Sequence, residues 1–297
     1  MRGFTALVNP ISGTRRAALI WARLADLLRA RGAVVRQVPT RSAAHATELA
    51  EQAAHRGDVV VAVGGDGLVR DAAAGVVAAD GTLAIVPAGR GNDLARALRL
   101  PGDPAALAGL LLSGVGRRVD VLEVAGQVVV GNAYAGIDSV ANHVINRRRW
   151  VPGPLLYRLA PARTLLTWRP VDYTVEVDGV RTGVRGHTVV VANSGVYGNG
   201  VRIVPTAVLD DGLLDVLTLG DSSRPALARA LLRARTGGHL DGPRTRLRTG
   251  RVVTLSANRP LALYADGDHV ADLPATIRVR PGALEVIAPG PPHRLMA

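Results

Sequence analysis

The chain has 297 residues, with 36 basic side chains against 24 acidic ones and a net charge of +12. Every basic residue is arginine, and there is no cysteine. Disulfide scaffolds and cysteine-ligated metal centres are excluded, and so are lysine-dependent phosphate loops, Schiff-base lysine enzymes and lysine-dependent protein-kinase sites.

The length predicts two domains at ~150 residues each. A hydrophobic fraction of 48% supplies a core, and an aromatic fraction of 3% makes that core mostly Val, Leu and Ala. The longest apolar run, Ala105–Val115, falls short of the ~18 residues of a membrane span. The N-terminus enters a strand pattern without a signal-peptide core, so a cytoplasmic location is expected. The positive charge favours an anionic partner: nucleotide phosphate, nucleic acid or an acidic membrane surface. Arginine-only usage also looks like a coding bias.

Strand and helix signals alternate up to about residue 118. Phe4–Val8 reads as a strand ending in the turn Asn9-Pro10-Ile11-Ser12-Gly13. Thr14–Ala30 has a helical apolar period and is ended by Gly32. Val34–Val38 reads as a second strand, and Ser42 as the N-cap of a helix to about His55. Asp58–Val63 is, after its first residue, a continuous apolar strand that stops at Gly64-Gly65-Asp66-Gly67. A helix to about Ala78, a strand at Leu83–Val86, the turn Pro87–Asp93 and a helix at Leu94–Leu98 follow. This alternation predicts a parallel sheet with helices on both faces, whose ligands bind at the carboxyl ends of the strands.

From about Val119 strand-like runs dominate, separated by turn pairs such as Asp178-Gly179, Asp211-Gly212 and Asp266-Gly267. They are Val119–Val124, Val128–Asn132, Tyr173–Val177, Thr188–Ala192, Leu214–Leu219, Arg251–Ser256, Leu261–Tyr264, Thr276–Arg280 and Leu284–Ile287. Two helical insertions are expected, around Ile145–Thr167 and Ala226–Thr236. The expected organisation is an α/β domain over residues 1–118 and a β-rich domain over 119–297, with the extreme C-terminus able to return to the first domain.

Glycine-containing turns follow the strands that end at Val8, Val63 and Val86, and in a parallel sheet they converge on one edge. Glycine lets backbone approach a phosphate, and a helix N-terminus adds a positive dipole. Together they predict a nucleotide or polyphosphate site. Asp66 is either a turn former or a carboxylate facing a metal-bound phosphate. Asn92 and Asp93 lie where the next turn meets its helix, where Asn92 could equally be a cap.

These blocks resemble the diacylglycerol kinase catalytic-domain family, which includes bacterial lipid kinases and the sphingosine and ceramide kinases. The resemblance rests on Asn9-Pro10-x-Ser12-Gly13, Gly64-Gly65-Asp66-Gly67 and Pro87-x-Gly89-x-Gly91-Asn92-Asp93-Leu94-Ala95-Arg96. Farther on, Ala192-Asn193-Ser194, Tyr197-Gly198-x-Gly200, Pro205-x-Ala207, Asp210-Asp211-Gly212-x-Leu214-Asp215 and Asp266-Gly267-Asp268 continue it in the same order.

The resemblance implies ATP-dependent phosphorylation of a lipid hydroxyl, with an α/β nucleotide-binding domain, a β-sandwich-like second domain and the active site in the cleft between them. It implies ATP and Mg²⁺ as cofactors, and as partners a lipid alcohol such as diacylglycerol and a peripheral membrane surface at the inner face. Carried over by position, Asn9, Pro10, Ser12, Gly13, Thr40, Gly64, Gly65, Asp66, Gly67, Leu68, Arg70, Asp71, Gly89, Arg90, Asn92 and Asp93 would line or position the nucleotide. Asp66 would organise the metal–nucleotide complex, and Asp268 would be the general base. Val208, Asp211 and Leu213 match a metal site, two of them through backbone carbonyls. A lipid alcohol has a high pKa, so a carboxylate that accepts its proton as the P–O bond forms suits the chemistry.

Departures from the family pattern are Leu68 in place of a threonine, Arg70 and Asp71 in place of Asn-Glu, Arg90 in place of a threonine or serine, and Asp268 in place of a glutamate. Arg90 adds a bidentate phosphate donor; Arg70 either contacts phosphate or is solvated.

Alternatives are an NAD kinase, which shares the Gly-Gly-Asp-Gly turn, and a catalytically silent lipid- or nucleotide-binding regulator. The seven histidines make no metal-ligand spacing, and no nucleophile-elbow motif is present. Arg147-Arg148-Arg149-Trp150 could dock on anionic lipid or be a solvated helix end. The arginine-rich 223–251 stretch lacks interleaved aromatics, so no nucleic-acid partner is expected. The sequence is compatible with a homo-oligomer.

Overall fold

The computed structural model describes residues 2–9, 15–147, 163–198 and 200–290. The chain forms two units, Met1–Val119 with Gly282–Ala297, and Asp120–Pro281.

In the first unit the apolar runs become parallel strands. They are β1 (Gly3–Val8), β2 (Val34–Pro39), β3 (Val59–Gly64) and β4 (Thr82–Pro87), in spatial order β4-β3-β1-β2. β3 is buried at every position, as a strand covered on both faces must be. The covering helices are α1 (Arg15–Arg29), α2 (Ala43–His55), α3 (Asp66–Ala78), α4 (Asp93–Ala97) and α5 (Pro104–Ser113). Ser42 caps α2 as expected, its side chain accepting the N–H of His45 at 3.1 Å.

α5 was not assigned from the sequence. Its face is apolar nearly throughout, so periodicity is faint, although Asp103 caps it and Pro104 opens it. At the amino edge of the sheet, buried Asp58 accepts from Thr5 Oγ1 at 2.8 Å and pairs with Arg36 at 3.0 Å. That contact ties β1, β2 and the start of β3 in register. Glu285 and Val286, near the end of β15 (Ala275–Ile287), lie parallel beside Thr82 and Leu83 of β4.

The second unit is antiparallel. Its path β14-β13-β7-β9-β8-β12 runs through β7 (Asn132–Gly136), β8 (Val171–Val177), β9 (Val180–Ala192), β12 (Val252–Ala257), β13 (Ala262–Ala265) and β14 (Asp268–Asp272). β9 serves two sets of partners. Residues 180–186 pair with β8, and 188–192 pair with β7 and with β10 (Leu214–Gly220). A strand shared in this way turns the corner of a β-sandwich. Among the described residues β11 (Thr245–Gly250) pairs with β10 alone. β5 (Gly116–Val124) and β6 (Gln127–Val129) form a hairpin.

Among the described residues, helices interrupt the strands at α6 (Ile137–Arg147), at residues 163–167 and at α7 (Arg224–Arg233). The insertion expected at Ile145–Thr167 therefore starts earlier, directly after β7; Arg148, Arg149, Trp150 and the following residues to 162 lie outside the described residues. The fold is thus an N-terminal α/β unit with a parallel sheet and a C-terminal β-sandwich-like unit. No helix among the described residues is long and apolar enough to cross a membrane.

Candidate active site

At the carboxyl edge of the parallel sheet, the turns after β3 and β4 are joined by one carboxylate. Asp66, the first residue of α3, accepts the backbone N–H of Asn92 on Oδ2 at 2.9 Å and that of Asp93 on Oδ1 at 2.6 Å. The turn after β4 is also closed on itself. Asn92 accepts the N–H of Gly89 and donates to the carbonyl of Gly89, both at 2.9 Å. Asn92 stands at the N-cap position of α4 but makes no side-chain cap bond, and its backbone is left-handed (φ 54°). The capping alternative is thus replaced by a turn-bracing role. Arg96 adds an Nε–H bond to the carbonyl of Gly91 at 2.8 Å.

Two glycines allow this closeness. A Cβ on Gly89 would collide with the Cα of Gly65, and a Cβ on Gly91 would collide with Oδ2 of Asp66. Gly67 differs: a Cβ there would meet nothing within 4 Å among the described residues. The N-terminus of α3 has no side-chain cap. Its first amides and open surroundings fit an anionic group such as a phosphate.

The remaining expected nucleotide residues divide into distinct environments. Thr40, at the end of β2, is buried and donates its N–H to the carbonyl of Val8 at 2.9 Å, beside Asn9. Leu68 is buried, and its side chain packs beneath Gly64. An apolar side chain at this position of α3 turns into the core, which leaves its main chain in the first turn of the helix. Arg70 donates to Oδ1 of Asp71 from Nε at 3.1 Å and from Nη2 at 2.9 Å, so it is neither a fully solvated nor an uncompensated cation. Arg90 is exposed and forms no ion pair among the described residues. Pro10, Ser12 and Gly13 lie outside the described residues.

In the second unit, Asp266 repeats the Asp66 device. It accepts the N–H groups of Val130, Gly131 and Asn132 at 3.1, 3.2 and 3.1 Å. Asp266 and Gly267 both have positive φ (49° and 91°), the requirement of a tight primed hairpin turn. That turn delivers Asp268, half-buried, as the first residue of β14. The loop holding Val208, Asp211 and Leu213 is anchored through Asp120. This buried carboxylate accepts the N–H of Gly212 at 2.7 Å, and the N–H of Asp120 donates to Leu209 at 2.6 Å. Asp211 is exposed and accepts the N–H of Leu213 at 3.1 Å. Burial, followed by the charge of Asp211, pushes the carboxyl of Asp215 up to about 6. Backbone carbonyls and a carboxylate are oxygen donors of the kind a hard divalent cation such as Mg²⁺ takes. No group of three or more His, Asp or Glu side chains around one point occurs among the described residues, so backbone carbonyls would have to complete the set.

One cluster went unread in the sequence. Asp138, at the start of α6, accepts from Thr188 Oγ1 at 2.8 Å and from Tyr197 Oη at 3.4 Å. Burial pushes its carboxyl up to about 6. Tyr134 stacks edge-on to Tyr197 with ring centres 5.3 Å apart and accepts from Asn142 Nδ2 at 2.6 Å. Burial raises the Tyr134 hydroxyl well above its ordinary value, with the charges of Asp138, Asp266 and Asp268 adding to it. A lone acid directly after the apolar Ala-Gly-Ile was the available signal. The Asn193-Ser194 block proves structural: Asn193 donates to the carbonyl of Asp120 at 2.8 Å, and Ser194 Oγ receives Asn132 at 3.1 Å.

A glycine-turn edge on a parallel sheet, followed by a β-sandwich-like unit, is the build of a kinase class, and comparison with known proteins identifies it. Residues 3–124 match the diacylglycerol kinase catalytic domain, and residues 131–288 match the YegS C-terminal NAD kinase beta sandwich-like domain. The chain is 34% identical over 298 residues to a diacylglycerol kinase of Mycobacterium tuberculosis, covering 96% of this chain and 94% of that one. It is 27% identical over 281 residues to a diacylglycerol kinase of Bacillus subtilis, covering 92% of each. A crystal structure of a diacylglycerol kinase from Bacillus anthracis superposes with a TM-score of 0.76 at 19% identity, covering 97% of each chain. The chain belongs to the diacylglycerol kinase family.

Proposed function

We propose that this protein is an ATP-dependent lipid kinase that transfers the γ-phosphoryl group to the hydroxyl of diacylglycerol or a related lipid alcohol. The observation that carries the reading is the Asp66 clamp, which holds the turns after β3 and β4 together beside the uncapped N-terminus of α3. In a member of the diacylglycerol kinase family, that edge suits a nucleotide triphosphate.

The turns Asn9–Gly13, Gly64–Gly67 and Gly89–Asp93, with Thr40, surround the nucleotide in this reading. Backbone N–H groups at the start of α3, including that of Leu68, meet its phosphates. Without a lysine anywhere in the chain, Arg90 is the mobile cation for charge developing on the transferred group, while Arg70 and Asp71 brace the helix. Asp66 keeps the turns in register, and Asp268 accepts the proton of the lipid hydroxyl as the new P–O bond forms. Val208, Asp211 and Leu213 would hold Mg²⁺ through oxygen donors, and there the ion would supply charge that fixes the loop anchored by Asp120. Since the lipid resides in a bilayer, the enzyme works as a peripheral protein at the inner membrane face.

Labelled ATP, incubated with total lipid extract and Mg²⁺, tests the reading. One labelled lipid, absent with Asp268→Asn, is the expected result. Phosphorylation of NAD and of no lipid would replace the reading with an NAD kinase. Nucleotide binding without transfer to either would leave a silent regulator.

A further inference from the structure

We propose that the connection between β10 and β11, together with β11, is a docking surface for an anionic lipid bilayer. Residues 221–251 carry eight arginines and two aspartates, a surplus of six in a chain of net charge +12. Both aspartates are already engaged, Asp221 by Arg185 at 3.3 Å and Asp241 by Arg233 at 3.6 Å. Among the described residues, Arg224, Arg229, Arg235 and Arg246 form no ion pair. Some arginines elsewhere in the unit are paired, as Arg181 with Glu176 at 2.9 Å and Arg280 with Glu123 at 3.6 Å.

The surface is built as well as charged. α7 turns buried Leu227 inward and leaves Arg229, Leu232 and Arg233 outward, with Leu232 69% exposed between two cations. Among the described residues β11 has β10 on one side only; Arg246 and Arg248 share one face of the strand and exposed Leu247 lies on the other. Its neighbour Arg244 reaches back to the carbonyl of Asp221 at 2.6 Å, which keeps both ends of the connection together. Guanidinium groups flanking an exposed leucine, as around Leu232 on α7, suit an interface where cations meet phosphate headgroups and a short apolar side chain enters the boundary. Residues 221–251 contain no Phe, Tyr or Trp on which bases could stack, so a bilayer fits better than a nucleic acid. The choice of a bilayer rests on the lipid-kinase reading; the charge and exposure do not.

The test is flotation of the full chain with phosphatidylcholine vesicles, with and without phosphatidylglycerol, for the wild type and for R224Q/R229Q/R235Q/R246Q. Wild type is expected to float only with phosphatidylglycerol and to be released by salt. Each arginine removed should weaken vesicle affinity roughly fivefold. The variant should keep its melting temperature and its phosphorylation of detergent-dispersed diacylglycerol. Flotation by the variant equal to wild type, no flotation by wild type, or capture of a single-stranded oligonucleotide in preference to vesicles would each overturn the proposal. Aggregation of the variant with unchanged vesicle affinity would overturn it too, because edge arginines would then serve only to keep β11 unpaired. If charge-dependent flotation occurs while no lipid is phosphorylated, the surface stands and the kinase reading falls.

Discussion

Asp66 and Asn92 are 26 residues apart in the chain, yet Oδ2 of Asp66 accepts the backbone N–H of Asn92 at 2.9 Å. The neighbouring amide of Asp93 takes the other oxygen. One side chain thereby sets the separation of two turns that the parallel sheet only brings near each other. Asp66→Ala leaves two amides without their acceptor, at a cost of about 1–3 kcal/mol for each group that water does not reach. The expected outcome is a lower thermal midpoint together with loss of phosphoryl transfer. Asp66→Asn, which keeps one carbonyl oxygen, should fall between alanine and wild type in both measurements.

Gly67 and Gly89 should respond oppositely to the same added methyl. Gly89→Ala forces the turn away from the Cα of Gly65 and should destabilise the first unit. Gly67→Ala meets no described residue within 4 Å, and replaces glycine by the best helix former, worth up to roughly 1 kcal/mol. Its thermal midpoint should hold or rise. If phosphates lie over the α3 N-terminus, its ATP affinity should nevertheless fall, as isothermal titration can measure.

Asp138 makes stability depend on pH in an unusual direction. Burial raises its carboxyl to about 6, against roughly 3.9 in an unfolded chain. The folded state therefore holds a proton that the unfolded state has lost, and stability falls as pH rises across this window. Asp215, raised to about 6 by burial and by Asp211, acts in the same sense. Asp138→Asn keeps an acceptor for Thr188 and removes the charge. It should gain about 3 kcal/mol over wild type near pH 7 and progressively less toward pH 4. Urea midpoints at the two ends of that range decide the matter; equal gains at both would refute the assignment.

Asp268→Asn removes the proposed proton acceptor but not the hairpin, whose turn is held by Asp266. The rate of transfer should drop by roughly 10²–10⁴ with KM for the lipid little changed. Asp266→Ala should instead lower the thermal midpoint, because Val130, Gly131 and Asn132 lose their shared acceptor. Comparison of the two variants separates chemistry from scaffold.

Much of the first unit was legible because its physics is local. Strands covered on both faces are continuous apolar runs, as at Val59–Val63, and Ser42 both looks like a cap and is one. In the second unit, β7, β11 and β14 escaped notice. Asn132-Ala-Tyr-Ala-Gly136, Thr245-Arg-Leu-Arg-Thr-Gly250 and Asp268-His-Val-Ala-Asp272 carry little strand propensity, and their pairing partners supply the pattern. β15 read as two runs because Pro281-Gly282 interrupts it; the strand continues, pairing with β12 before that point and with β4 after it.

The order of the motifs, the absence of lysine and the alternation of strands and helices determined by themselves the family and the two kinds of unit. Only the tertiary structure decided what individual side chains do there. It turned Leu68 into core, Asn92 into a brace for Gly89, Asp66 and Asp266 into clamps on distant amides, and Asp138 into a buried acid. The physical reason is common to all of them: a side chain's role depends on which partners and how much water surround it. For Asp66 and Asp266 those surroundings come from segments 26 and more than a hundred residues away, which no local pattern encodes.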